Sequence, residues 1–158
     1  HLVVKDGSRL VGVLSERDLG GRRSSALRRG RTVRDFMTPQ VATAKPTTTL
    51  RQAANVMRGR LIGCLPVVDD GRLIGIVTER DLTRAVAGRV HSSEARVREW
   101  MTADPKVVSE STDPVEAVQI MLDGGFRHLP VVENERAVGI VSIRDLAEWS
   151  IRSETSPT

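Results

Sequence analysis

The sequence predicts an α/β protein built from a duplicated strand-helix-strand-strand-helix unit. Three observations carry that expectation. One template is written three times: His1-Leu2-Val3-Val4 through Ser15-Glu16-Arg17-Asp18-Leu19 recurs as Cys64-Leu65-Pro66-Val67-Val68 through Thr78-Glu79-Arg80-Asp81-Leu82, and again as His128-Leu129-Pro130-Val131-Val132 through Ser142-Ile143-Arg144-Asp145-Leu146. Gly12 and Gly75 are 63 residues apart and Gly75 and Gly139 are 64 apart, so the repeating unit is a whole small domain and not a solenoid turn. Each pair of β-branched apolar runs is joined by turn residues and flanked by apolar stripes at helical spacing.

The second copy opens with Val41 to Ala44 as a short extended lead. Pro46-Thr47-Thr48-Thr49 then supplies helix-start chemistry for a stripe of Leu50, Ala53, Ala54 and Met57, with punctuation expected at Gly59 and Gly63. Leu65 to Val68 and Leu73 to Val77 read as strands joined by the tight-hairpin sequence Asp69-Asp70-Gly71-Arg72. After Thr78 a second helix carries Leu82, Ala85 and Val86 as far as Gly88. In the third copy Asp113-Pro114-Val115-Glu116 reads as N-cap, proline at the first helical position and Glu at the third, ahead of a stripe of Val115, Val118, Met121 and Leu122. Its hairpin, Glu133-Asn134-Glu135-Arg136, lacks glycine, which makes Asn134 the residue expected at positive φ.

The copies also match in their leading halves, where Val33-Arg34-Asp35-Phe36-Met37-Thr38 pairs with Val97-Arg98-Glu99-Trp100-Met101-Thr102. The first copy has no such half, and the chain begins inside a strand pattern without an initiator Met, so further sequence upstream is expected. The organisation expected is a half repeat and Arg-rich linker at 1–30, complete repeats at 31–90 and 91–152, and a polar tail at 153–158.

With 39% hydrophobic and 28% charged residues, 158 residues suffice for an ordinary core. No apolar run approaches a membrane span and no leader pattern is present, so the cytoplasm is the expected compartment. The single cysteine, Cys64, excludes an internal disulfide, and His1, His91 and His128 have no metal-ligand spacing. Arg outnumbers Lys 21 to 3 at a net charge of +4. Arg22, Arg23, Arg28, Arg29, Arg31 and Arg34 form the one basic concentration, but without interleaved aromatics a solvated face is preferred over nucleic acid. Gly71 and Gly75 belong to a hairpin and a strand, so there is no glycine-rich phosphate loop. The four methionines are expected in the core, and Phe36 and Trp100 between repeats.

Met37-Thr38, then Leu65-Pro66-Val67-Val68, then Gly75-Ile76-Val77-Thr78-Glu79-Arg80-Asp81-Leu82, with their third-copy counterparts, closely resemble the cystathionine β-synthase (CBS) domain, which occurs in tandem as a Bateman module. The resemblance spans nearly the whole chain. It implies a pseudo-twofold pairing of the second and third repeats with two clefts, frequent assembly into a homodimer, and regulatory binding of an adenosine-containing ligand (AMP, ADP, ATP or S-adenosylmethionine) on behalf of an enzyme or transporter. No catalytic dyad supports an enzyme, and no required cofactor is expected.

The residues read in two ways. Ser15, Thr78 and Ser142 can cap the helices that follow, with Asp18, Asp81 and Asp145 completing a capping box. Equally, an Asp after a strand, on a first helical turn, can accept hydrogen bonds from vicinal ribose hydroxyls while a hydroxyl and helix-start amides hold phosphate. Thr32-Val33-Arg34-Asp35 fits the same pattern without a preceding strand and is expected to be a cap. The family's ligand positions carry over to Thr38, Val41, Ala42, Gly63, Cys64, Pro66, Thr78, Arg80 and Asp81 in the second copy. In the third they fall on Thr102, Pro105, Lys106, Arg127, His128, Pro130, Ser142, Arg144 and Asp145. Lys106, Arg127 and His128 stand where the second copy has Ala42, Gly63 and Cys64, so the third-copy cleft is expected to take the more anionic ligand. Cys64 is expected to line its cleft as an inert thiol. Two other functions are kept in view: an interaction module with vestigial clefts, and nucleic-acid binding through the linker.

Overall fold

The computed structural model describes residues 2–6, 9–14 and 30–147, and the strand pairs implied by the repeats are present among them. Strands β1 (Leu2–Asp6) and β2 (Arg9–Leu14) form an antiparallel hairpin with Leu2 opposite Leu14 and a bulge at Val4/Lys5. Ser15, Asp18, most of the Arg-rich linker and the polar tail lie outside the described residues. The rest of the chain forms β3 (Thr38–Pro39), α1 (Leu50–Arg60), β4 (Cys64–Asp69), β5 (Arg72–Thr78), α2 (Glu79–Ala87), α3 (Val97–Trp100), β6 (Thr102–Ala103), α4 (Pro114–Gly124), β7 (His128–Glu133) and β8 (Arg136–Ser142), followed by a helix over 143–147.

The chain divides into two compact units: one comprises the chain up to Met37, Val108–Leu129 and the chain from Val141; the other is Thr38–Val107 with Pro130–Ile140. In the second unit the sheet runs β4-β5-β6, with β4 and β5 antiparallel and Cys64 opposite Thr78. Alternation along these strands sorts the side chains onto two faces. Leu65, Val67 and Val77 join Leu50, Ala53 and Met57 of α1, Ala85 of α2, and Ala44, Ala95 and Val97 in the main core, whereas Cys64 and Ile76 point to a smaller apolar cluster with Ile140 and Val41. Pro66 interrupts no ladder because β4 is an edge strand, against which Ala44 bridges: Ala44 N–H donates to Pro66 O at 2.9 Å and Val68 N–H to Ala44 O at 2.9 Å.

The hairpin chemistry is as expected. Asp70 (φ 48°) and Gly71 (φ 77°) are both left-handed, as a two-residue type I′ connection requires. In the glycine-free hairpin Asn134 takes φ 50°, and Glu135, which sequence reasoning did not single out, takes φ 64°. Gly75 is demanded by packing: a Cβ there would lie 2.5 Å from Met101 Sδ and 3.0 Å from Thr102 O, where β6 crosses.

Helix starts follow the sequence. Thr49 Oγ1 accepts from Gln52 N–H at 3.1 Å and Gln52 Oε1 from Thr49 N–H at 3.0 Å, a reciprocal capping box. Asp113 Oδ1 accepts from Val115 N–H at 2.8 Å, and Pro114 occupies the first turn. Helix ends and faces differ in part. Gly59 does not stop α1, which runs through it to Arg60; Leu61 ends it in the left-handed region (φ 55°), with Ile62 N–H donating to Met57 O at 3.0 Å. Ala54, Val115 and Leu122 are half-buried and Val86 is exposed; the buried face of α4 is Pro114, Ala117, Val118 and Met121. The expected stripes were displaced by less than a turn because small Ala117 and proline also face inward.

The leading segment of each copy docks on the other copy's first helix. Val97 N–H donates to Thr48 O (2.8 Å) and Leu50 N–H to Ala95 O (3.0 Å), fixing the segment before β6 at the start of α1. Within the first unit, Val33 N–H donates to Thr112 O (2.9 Å) and Arg34 N–H to Glu110 O (3.0 Å), ahead of α4. Thr32 N–H donates to Asp35 Oδ2 at 2.8 Å, so this Thr-x-x-Asp is the cap it was expected to be. A further sheet has the order β3-β8-β7, with Thr38 opposite Ile140. No helix among the described residues is long and apolar enough to cross a membrane.

Candidate functional site

The second-copy residues converge on the face of β4 and β5 turned away from the main core. Cys64 and Ile76, one from each strand, meet Val41 and Ile140 in the small apolar cluster, and Thr38 is the register partner of Ile140 on β3. Cys64 is opposite Thr78, where β5 ends and α2 begins. Gly63 O accepts from Glu79 N–H at 3.0 Å, so the head of β4 is tied to the first turn of α2. Val41 and Cys64 thus share the small apolar cluster, Thr38 and Thr78 are linked to it through strand register, Gly63 adjoins Cys64, and Thr78 holds Asp81. Pro66 is buried, with its carbonyl committed to Ala44; Ala42 packs instead against the main core, and Arg80 is exposed.

Asp81 is a buried charged residue, 5% exposed, and its partners explain how the charge is tolerated. Oδ2 accepts from Thr78 N–H (2.9 Å) and Thr78 Oγ1–H (3.1 Å), and Oδ1 accepts from the Arg84 guanidinium at 3.2 Å. The carboxylate therefore caps α2 and also pairs with a cation, so each of its oxygens has a donor despite its burial. Arg84 in turn lies 5.9 Å from the centre of the Trp100 ring, which rests against the main core. Sequence reasoning missed Arg84, although the i, i+3 spacing from Asp81 on a predicted helix was a readable signal. The contribution of Ile140 was not readable, since it comes from another strand.

Among the described residues, the groups around Cys64 are the apolar Ile76, Ile140 and Val41 and the Glu79 charge, with no cation among them. Burial, with the nearby Glu79 charge, pushes its thiol up from 9.0 to about 12, so it stays protonated at neutral pH and serves as a small apolar wall.

The third-copy residues are distributed over both units. Ser142 and Asp145 form the equivalent cap: Ser142 N–H donates to Asp145 Oδ2 at 3.2 Å and Asp145 N–H to Ser142 Oγ at 3.1 Å. Ile143 N–H donates to Arg127 O at 2.9 Å, repeating the Gly63 tie and setting Arg127 and the half-buried His128 beside Ser142; Arg144 is exposed. In the other unit Thr102 is the register partner of Ile76, followed by Pro105 and the exposed Lys106, while Pro130 is buried on β7. No group of three or more His, Cys, Asp or Glu able to hold a metal occurs among the described residues.

Two copies of a sheet-and-helix unit, each ending a strand in Ser/Thr-x-x-Asp at a helix start, define a tandem α/β module. Residues 33–88 and 97–152 both match the CBS domain, and the chain belongs to that family. It is 33% identical over 124 residues to the CBS domain-containing protein YhcV of Bacillus subtilis, covering 78% of this chain and 89% of the relative. Among solved structures it is similar to Arabidopsis thaliana CBSX2 in complex with AMP (30% identity, TM-score 0.68, 79% of this chain and 99% of the other). It is likewise similar to the CBS pair of MJ0100 in complex with 5′-methylthioadenosine and S-adenosylmethionine (27% identity, TM-score 0.71, 77% and 97%).

Proposed function

We propose that this chain is a non-catalytic, cytoplasmic regulatory module whose repeats, taken as 31–90 and 91–152, bind an adenine nucleotide or related adenosyl ligand such as AMP, ADP, ATP or S-adenosylmethionine. The observation that carries the reading is an apolar floor of Val41, Cys64, Ile76 and Ile140 in which Cys64 is the register partner of Thr78, the residue that holds the buried Asp81 carboxylate. Such a floor accepts a flat purine, and a carboxylate at the mouth of a helix accepts the hydroxyls of a ribose. The AMP and S-adenosylmethionine complexes of similar CBS pairs support the same ligand class. Arg127 and His128, which lie in the same unit as Ser142 and Asp145, are assigned to the more anionic ligand, with affinity rising with phosphate number and falling with salt. The module acts as a homodimer on an enzyme or transporter that it regulates.

Calorimetric titration of Asp81→Ala and Asp145→Ala tests the assignment. Losing hydrogen bonds to two hydroxyls reduces affinity by about 1.5–3 kcal/mol. Unchanged affinity with a lowered melting temperature would leave both residues as caps and nothing more. One observation favours a second reading, an interaction module with a vestigial second-copy cleft: the Asp81 carboxylate is already engaged by Thr78 and Arg84.

A further inference from the structure

Asp81 enters any ribose contact with its acceptors partly taken. Oδ2 receives two donors from Thr78, which fills its two in-plane lone-pair positions. Oδ1 receives Arg84 at 3.2 Å and has one such position left. A single hydroxyl can therefore be added without rearrangement, but the two vicinal hydroxyls of a ribose need both positions on Oδ1, or one on each oxygen. Something must give way. The Thr78 donors are local to the helix cap, one of them being backbone, and their loss would uncap α2. The Arg84 side chain is 63% exposed whereas that of Asp81 is 7% exposed, so Arg84 can swing into solvent and Asp81 cannot follow. Arg84 has a second surface to use, since its guanidinium carbon is already 5.9 Å from the Trp100 ring centre, within cation–π range. Trp100 immediately precedes Met101, whose sulfur occupies the space a side chain at Gly75 would need.

We infer that Arg84 is a specificity-determining residue of the second-copy cleft: it occupies Oδ1 of Asp81, and a ligand with vicinal hydroxyls displaces it onto Trp100. The inference rests on the adenosyl-ligand reading above and deepens it. Arg84 then acts as a competitor that lowers affinity, and its movement makes Trp100 a reporter of occupancy. Ligands that present one hydroxyl leave Arg84 in place, so the residue discriminates riboside from 2′-deoxyriboside less sharply than an open carboxylate would.

The test is titration of AMP and 2′-deoxy-AMP into the full chain and its Arg84→Gln and Arg84→Lys variants, by calorimetry and by tryptophan emission in a Trp149→Phe background, which leaves Trp100 as the emitter. An exposed ion pair competes weakly, so Arg84→Gln should bind AMP about two- to fivefold more tightly, with a smaller gain for 2′-deoxy-AMP. Arg84→Lys, which keeps the charge, should stay within about twofold of the parent. AMP should change Trp100 emission in the parent and not in Arg84→Gln. Parent binding with equal or weaker affinity in Arg84→Gln, or with Trp100 emission unmoved, overturns the role of Arg84 and leaves the ligand reading intact. Absence of AMP binding in all three proteins overturns both.

Discussion

Leu61 ends α1 in a conformation that suits glycine, and replacing it tests how these helices are terminated. The residue has φ 55° and ψ 44° and is 91% exposed. The 6→1 bond from Ile62 N–H to Met57 O (3.0 Å) and the accompanying Leu61 N–H to Arg58 O bond (3.3 Å) form a Schellman ending, with Ile62 folded back on the core that holds Met57. A non-glycine residue in that region costs about 1–2 kcal/mol. Against this, glycine loses about 0.4–1 kcal/mol through the greater freedom of the unfolded chain. The exposed leucine contributes little packing, so Leu61→Gly should stabilise the protein by roughly 0.5–1 kcal/mol, about 1–4 °C in melting temperature for a domain of this size. The third copy supplies the control: Gly125 occupies the equivalent place at φ 70°, where an added Cβ would meet nothing within 4 Å, so Gly125→Ala should destabilise through the backbone alone. Urea unfolding reads both, and the slope with denaturant should not change. A lowered midpoint for Leu61→Gly would refute the reasoning, because the leucine would then be making a contact worth more than its backbone strain.

Three further outcomes follow from the packing and the thiol. Gly75→Ala should cost about 1–3 kcal/mol by overpacking against Met101, and adding Met101→Ala should recover part of that loss, so the double variant in a chemical-denaturation cycle should fall short of the sum. Leu50→Ala, at a fully buried position of the main core, should cost about 3–5 kcal/mol in the same assay. Cys64 should resist alkylation at pH 8 unless denaturant is added. Because its folded thiol titrates near 12 against 9.0 for an ordinary one, its contribution is intact below about pH 9 and stability should decline as pH rises from there towards 12. Rapid labelling of the native protein would show that the thiol is not held in the apolar cluster.

Much of this architecture was readable because local chemistry and the fold agree. The hairpin at Asp70-Gly71, the caps at Thr49 and Asp113, and the Thr32 cap without a strand before it are each decided within four residues. What was not readable depends on sequence-distant partners. Gly59 looked like a stop, but helix termination was decided at Leu61 by the bond to Met57 and the docking of Ile62. Val86 matched the apolar spacing of α2 yet faces outward, since Ala85 alone reaches the core at that turn. For the site, the residues at the strand end and helix start were legible from repetition, and Asp81 and Asp145 do form matching caps. The apolar floor was half legible: Val41 and Cys64 come from the second copy, but Ile140 arrives from the third through β8, and the Arg84 partner of Asp81 lay one helical turn beyond the motif.

Binding of adenosine-containing ligands by this CBS pair is tested most directly by calorimetric titration of the purified chain with AMP, ADP, ATP and S-adenosylmethionine, alongside a pyrimidine nucleotide of matching charge, in low and high salt. Saturable binding of at least one adenosine ligand is expected, with discrimination against the pyrimidine control and a rise in melting temperature with ligand concentration, as binding to the folded state requires. Heats no greater than dilution for every adenosine ligand, with melting temperature unmoved at millimolar concentration, would contradict it.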